Sequence, residues 1–237
     1  TSGIGNGNLT GSRVFSMARD RDGEIWVGTD EGVVVFFSPE SVFSGQNFDA
    51  QQVLVEEGGY YQYLLEEETV TAIAVDGANR KWFGTDRAGV FLMSEDGTQQ
   101  IHHFTEENSP LLSNSITSIA INHGNGEVFI GTALGLISYK ASATAGGETN
   151  NDVYAYPNPV RPGYSGPIAI KGLVTDADVK VTDISGNLVY CTRAEGGQAV
   201  WDGNDFSGRR AETGVYLVFI SDEEGIETIV TKILFIK

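Results

Sequence analysis

Two tryptophan–aspartate pairs are the first candidates for chemistry. The stretch EIWVGTDEG sets Trp26 four residues before Asp30, and KWFGTDRAG sets Trp82 four residues before Asp86. An indole can stack on a sugar, and a carboxylate can act as acid or base. A looser copy, VFIGTALG, carries Phe129 and Ala133 at the same places. Residues that recur with a repeat and then lapse serve packing more simply than catalysis. The run Asp20-Arg21-Asp22-Gly23 resembles the start of a calcium loop but lacks the later oxygen ligands and the closing Glu, so a hairpin turn explains it. His102 and His103 are adjacent on an expected strand and point to opposite faces, so they cannot chelate one ion together, while His123 is expected in a turn. No Cys/His ligand spacing, G-x-S-x-G or H-E-x-x-H occurs. The lone Cys191, in LVYCT, reads as a buried and inert thiol, and Glu66-Glu67-Glu68 as a solvated edge. The expectation is a non-enzymatic chain with no catalytic residue, metal or cofactor.

Charge narrows the partners. The net charge is −17, of which residues 1–149 carry −13 and residues 150–237 carry −4. Nucleic acid and anionic membranes both need clustered Lys and Arg, so this balance excludes them as expected partners. One cysteine allows no internal disulfide. The longest apolar stretch, 215–220, is too short to span a bilayer. The chain begins at TSG rather than Met and reads as a mature form or a fragment.

The elements that position these residues are strands. Helical periodicity is nearly absent, and short β-branched and aromatic runs alternate with Gly, Asn and Asp. Three repeats lie near 14–36, 70–93 and 116–139, and the Gly of their Gly-Thr pairs falls at Gly28, Gly84 and Gly131. Spacings of 56 and 47 are close to the ~40–50 residues of one propeller blade. Each repeat predicts a strand, an Asp/Asn/Gly turn, a strand with the aromatic and Gly-Thr, and a third strand. The shared structural motif is therefore Trp26, Gly28 and Thr29; Trp82, Gly84 and Thr85; Phe129, Gly131 and Thr132. The spacers supply outer strands: QQVLVEEGGYYQYLLEEE with a hairpin at Glu57-Gly58-Gly59, and GTQQIHHF.

After about Ala143 the repeat stops. The fold class expected is all-β: a partial propeller of about three blades over 1–142, a Gly-rich linker over 143–152, and an immunoglobulin-like β-sandwich over 153–237. The last part opens on VYAYPNPVRP, whose prolines interrupt strand pairing, and continues in short strands with turns at SGN, EGG and EEG. Trp201-Asp202-Gly203 begins a long hairpin, with Trp201 packing over the core and Asp202 bonding turn amides.

These motifs resemble two known families. The repeat VTAIAVDGANRKWFGT is similar to the regulator-type propeller repeat of sensory and secretory propellers. The stretch from YPNP through the D-x-x-G-x-x-V and W-D-G hairpins to KILFIK resembles the C-terminal domain of type IX secretion proteins. Together, in this order, they resemble the C-terminal end of a propeller protein of the type IX attachment machinery. The resemblance implies a sorting motif of Tyr156, Pro157, Asn158, Pro159, Trp201, Asp202, Gly203, Gly214, Tyr216, Lys232 and Lys237. It also implies passage through the periplasm to the outer membrane exterior. The implied partners are type IX secretion or attachment proteins, with anionic lipopolysaccharide or a glycan as a candidate ligand. Three blades do not close a propeller, so open blade edges are expected to allow self-association. The rival expectations are the extracellular ligand-sensing propeller of a two-component regulator and a glycan-binding or glycan-processing surface propeller.

Overall fold

A computed structural model describes residues 3–44, 48–221 and 227–236. The chain is all-β, with one short helix, α1 (Ser41–Ser44), among the described residues. No described helix is long and apolar enough to cross a membrane. The chain divides into two compact units, Thr1–Asn122 with Glu127–Ala141, and His123–Gly126 with Ser142–Lys237.

The first unit holds three meander sheets. The first runs β1 (Val14–Arg19), β2 (Ile25–Thr29), β3 (Gly32–Phe36) and β4 (Gln51–Gln52), and a hairpin of β5 (Leu54–Glu57) and β6 (Tyr60–Tyr63) follows it. The second runs β7 (Val70–Val75), β8 (Lys81–Thr85), β9 (Val90–Met93) and β10 (Gln100–Phe104). The third has three strands, β11 (Ile116–Asn122), β12 (Glu127–Thr132) and β13 (Gly135–Lys140). The first strand of each sheet lies beside the next, β1 by β7 and β7 by β11. All three carry a register shift at the same point, between Val14 and Ser16, Val70 and Ala72, and Ile116 and Ser118.

Period-2 alternation explains why β8 is buried throughout. Phe83 faces the first sheet and joins Trp26, Val35 and Val70 in one core. Trp82 faces the third sheet and joins Leu92, Ile116, Val128 and Ile130 in another. A sheet covered on both faces needs apolar residues at successive positions, which is why KWFGT does not alternate in polarity. Glu66 and Glu67, expected on a strand edge, instead stand exposed in the turn between β6 and β7.

The second unit has two sheets around one core. The smaller runs β14 (Tyr154–Tyr156), β15 (Ile168–Lys171) and β18 (Gln198–Trp201). The larger runs β17 (Leu188–Arg193), β16 (Asp178–Asp183), β19 (Gly214–Ser221) and β20 (Glu227–Phe235). Ile168, Ile170 and Trp201 of the smaller sheet meet Val179, Val181, Val218 and Ile233 of the larger. The segment expected as a linker carries ladder-like bonds to this unit: Gly197 N donates to Thr144 O at 2.9 Å and Gly147 N to Leu173 O at 2.8 Å.

Cys191 corrects an expectation. The thiol is exposed, not buried. It lies opposite Lys180, whereas its neighbour Tyr190 turns inward and donates its hydroxyl to Val200 O. The apolar run LVYCT belongs to an edge strand with one covered face, so alternation sends Tyr190 in and Cys191 out.

Candidate functional site

The repeated motif is the natural place to look for a site, and each of its residues has a mechanical task. Thr29 Oγ1 donates to Gly32 O at 3.0 Å, Thr85 Oγ1 to Gly89 O at 3.0 Å, and Thr132 Oγ1 to Gly135 O at 2.9 Å. The same hydroxyls accept from the amides of Glu31, Ala88 and Leu134. The Thr thus closes the turn into the third strand in all three copies, a local side-chain bond that competes well with a wider loop.

In the first two copies the Gly before the Thr marks where sheets crowd. A Cβ on Gly28 would stand 2.6 Å from Val70 O, and one on Gly84 2.5 Å from Ile116 Cγ2. Gly28 therefore lets the first sheet approach the second, and Gly84 the second approach the third. At Gly131 the nearest neighbour is Ser118 of the adjoining strand in its own sheet.

The indoles are anchored by carboxylates that the sequence reading assigned to turns. Trp26 Nε1 donates to Asp20 Oδ2 at 3.0 Å, and Trp82 Nε1 to Asp76 Oδ2 at 3.2 Å. Asp20 Oδ1 also accepts from the amides of Asp22 and Glu24, and Asp76 Oδ1 from those of Ala78 and Arg80. Each Asp therefore shapes its turn with one oxygen and holds its Trp with the other. Phe129 has no donor, and it is half-buried where the two indoles are fully buried. Asp30 and Asp86, four residues after each Trp, bond to other groups. Asp30 accepts from Ser12 N, Ser12 Oγ and Arg13 N, and Asp86 from Ser115 Oγ.

One charged pair lies wholly inside. Lys81 Nζ is 3.0 Å from Asp20 Oδ2, and neither side chain is exposed. Lys81 also donates to Asn79 O at 2.8 Å and to Glu95 O, and sits 4.8 Å from the centre of the Trp26 ring. Burial opposes ionisation of Asp20, but the bonds from Lys81 and Trp26 outweigh it and hold the carboxyl below its ordinary value. Burial and the Asp20 charge raise Glu24. The cation has three acceptors and the carboxylate a full set of donors, which is the chemistry of a structural lock rather than of a proton carrier.

The other sequence-nominated groups do not converge. His103 stacks on Phe91 at 3.9 Å and bonds Ala88 O, while His102 tilts against Phe104. Among the described residues, no three His, Cys, Asp or Glu side chains could hold a metal ion.

In the second unit the residues of the expected sorting motif gather at two places. The first is the hairpin after β18. The buried Trp201 donates its indole N–H to Asn204 O at 2.8 Å, and Asp202 accepts from Asn204 N. Gly203 takes φ +80, and its carbonyl accepts from Ala211 N. Tyr216 donates to Glu212 O at 2.9 Å and meets the edges of Trp201 and Phe235, and Gly214 opens β19 opposite Phe235. The second place joins the two ends of the unit. Pro157 and Pro159 follow cis peptide bonds, and Tyr156 before them is exposed. Asn158 donates Nδ2 to Lys232 O at 2.8 Å and accepts Leu234 N at 3.0 Å on Oδ1. Val160 continues with backbone bonds to Leu234 and Ile236. Lys237 lies outside the described residues. Asp183, the Asp of the D-x-x-G-x-x-V hairpin, and Asp205, which sequence reasoning did not name, hold the two polar hairpins. Asp205 accepts from Ser207 and Arg209, and its carboxyl falls to about 2 through the Ser207 hydroxyl, the Arg209 amide and the other donors that close the turn. The D-x-S-G spacing at Asp205 is an Asx-turn signal that could have found it.

The two component regulator propeller family matches residues 8–31. The chain is similar to PorZ of Porphyromonas gingivalis, an essential bacterial surface component of the type IX secretion system, at 36% identity and a TM-score of 0.62. That match covers 94% of the chain and 30% of PorZ, so the chain spans about a third of its relative's length. These two findings support a PorZ-like propeller. The extracellular domains of the BT4673 one component system and the BT3049 hybrid two component system of B. thetaiotaomicron also match. Their identities are 8% and 17% and their TM-scores 0.41 and 0.33, over 97% and 90% of this chain and 50% and 38% of theirs. No curated protein matches.

Proposed function

We propose that the chain is a non-enzymatic, extracytoplasmic component of type IX secretion and cargo attachment. In this reading the first unit contributes three blades of a propeller. The second is an immunoglobulin-like sandwich that acts as export or sorting signal, displayed at the outer membrane exterior after passage through the periplasm. The observation that carries the reading is the 36% identity to PorZ over 94% of the chain, extending through both units. The clasp of Asn158 on Lys232 and Leu234 supports it, because it joins the two ends of the expected sorting motif in one folded surface.

Its partners are then secretion and attachment proteins. Direct binding of an anionic lipopolysaccharide to a chain of net charge −17 requires bridging divalent cations or a basic surface on another component.

The test is export. Residues 234–237 are deleted from the full-length gene product, and its place in the cell is followed by surface labelling. The reading expects retention in the periplasm, and unchanged surface display would overturn it. A second reading, a ligand-sensing propeller of a two-component regulator, is favoured by the family match at residues 8–31. A histidine-kinase module in the same gene would select it.

A further inference from the structure

The β5–β6 hairpin carries an aromatic surface that the packing of the sheets leaves unused. Its register sets Leu54 opposite Tyr63 and Glu56 opposite Tyr61, so these four side chains share one face. Leu54 is 51% exposed, Tyr61 69% and Tyr63 42%, and Tyr60 on the other face is 80% exposed. Clustered exposed aromatics mark contact surfaces far more often than isolated ones do. Here they stand beside a cleft of about 440 Å³, bounded by Leu54, Glu56 and Tyr61 on the hairpin and by Thr98 and Gln99 in the turn between β9 and β10. Small-molecule sites fall in the range of roughly 300–1,000 Å³.

We propose that this cleft binds a neutral carbohydrate, with Tyr61 as the stacking platform. The lining chemistry selects the ligand. An exposed phenol ring offers a flat, electron-rich face to the polarised C–H groups of a pyranose. Glu56 offers two acceptor oxygens and Gln99 both donors and an acceptor, a set that suits neighbouring hydroxyls. Thr98 already donates its hydroxyl to the Asp96 carboxylate, which leaves its oxygen as a further acceptor. No Lys or Arg lines the cleft, and residues 1–149 carry −13. Phosphorylated, sulphated and uronic sugars are therefore repelled, and the ligand is an uncharged hexose unit. This inference does not depend on the second unit being an export signal.

The test uses the whole 237-residue chain, isotopically labelled, titrated with a panel of neutral methyl hexopyranosides and with one hexose phosphate. The expected result is saturable amide shifts centred on Tyr61 and Gln99 for at least one neutral sugar. Tyr61→Phe keeps the binding, and Tyr61→Ala weakens it by about tenfold, the loss of one stacking contact. Because Tyr61 is exposed, its removal leaves the sheets intact, and an unchanged amide spectrum elsewhere verifies this. No saturable shift up to about 50 mM of any neutral sugar, well past millimolar affinity, would overturn the proposal. So would tighter binding of the phosphate, or binding indifferent to Tyr61→Ala.

Discussion

Lys81 Nζ lies 3.0 Å from Asp20 Oδ2 with both side chains shut off from solvent. The lysine comes from the second strand of the second sheet, and the aspartate from the first turn of the first sheet. The pair therefore records how the two sheets are packed. Around it, Arg21 donates to Asn79 Oδ1 and Asp76 O, and Asn79 donates to Asp22, so the two turns are sewn together by polar bonds beside an apolar core.

Removing one member of a buried pair strands the other. Lys81→Met is expected to lower unfolding free energy by ~3–5 kcal/mol. The double variant Asp20→Leu/Lys81→Met is expected to recover part of that loss. Urea unfolding of the parent, of Asp20→Leu, of Lys81→Met and of the double variant measures the coupling, and additive losses would show that the pair does not act as a unit.

The motif glycines are expected to rank by what a methyl group would meet. Gly28→Ala drives Cβ toward the Val70 carbonyl, which cannot rotate away. Gly84→Ala meets the branched side chain of Ile116. Both cost ~1–3 kcal/mol by overpacking. Gly131→Ala meets the movable hydroxyl of Ser118 and costs less. Thermal melts give the order, and the loss caused by Gly84→Ala, though not that caused by Gly28→Ala, is expected to shrink when both are measured in an Ile116→Ala background.

Asn158 stands in for a strand. Its amide bonds the carbonyl of Lys232 and the N–H of Leu234, two consecutive outward-facing groups of β20. Both bonds are exposed to solvent, so Asn158→Ala is expected to cost ~0.5–1.5 kcal/mol, the net worth of a hydrogen bond whose groups water can reach. Hydrogen exchange at the Leu234 amide is expected to quicken by at least tenfold relative to Val218 in the core. Equal protection in the two chains would contradict this role.

Acid sensitivity in the second unit is expected to pass through Asp205. Its folded pKa, about 2, lies below the ordinary 3.8. A depressed carboxyl stabilises the fold above the unfolded value, and the contribution is lost as pH falls through the folded one. The window is therefore about pH 4 to 2. Asp205→Asn is expected to unfold earlier than the parent above that window, with the two curves converging as pH approaches 2. Denaturant midpoints at stepped pH follow this directly.

The strand repeats were open to sequence reading because their causes are local. A Thr that bonds a Gly three or four residues later, and an Asp that closes its own turn, act within one hairpin and leave a fixed spacing behind. Hence the three copies could be aligned and Trp26, Trp82 and Phe129 assigned to packing. The hairpin at Gly58-Gly59 and the turn around Asp202 were legible for the same reason.

What escaped the sequence lies across strands or sheets. LVYCT reads as buried because its residues are apolar, yet an edge strand covers only one face, and Cys191 falls on the other. Lys81 looks like any surface lysine in KWFGT, and only the stacking of the first sheet over the second encloses it with Asp20 and Trp26. Asn158 and Leu234 are 76 residues apart, and no periodicity links them until the chain has closed. The sequence alone thus determined strand class, repeat and turn chemistry, since these depend on side chains a few residues apart. The tertiary structure decided burial, charge pairing and the clasp at β20, since these depend on which distant strands share a face.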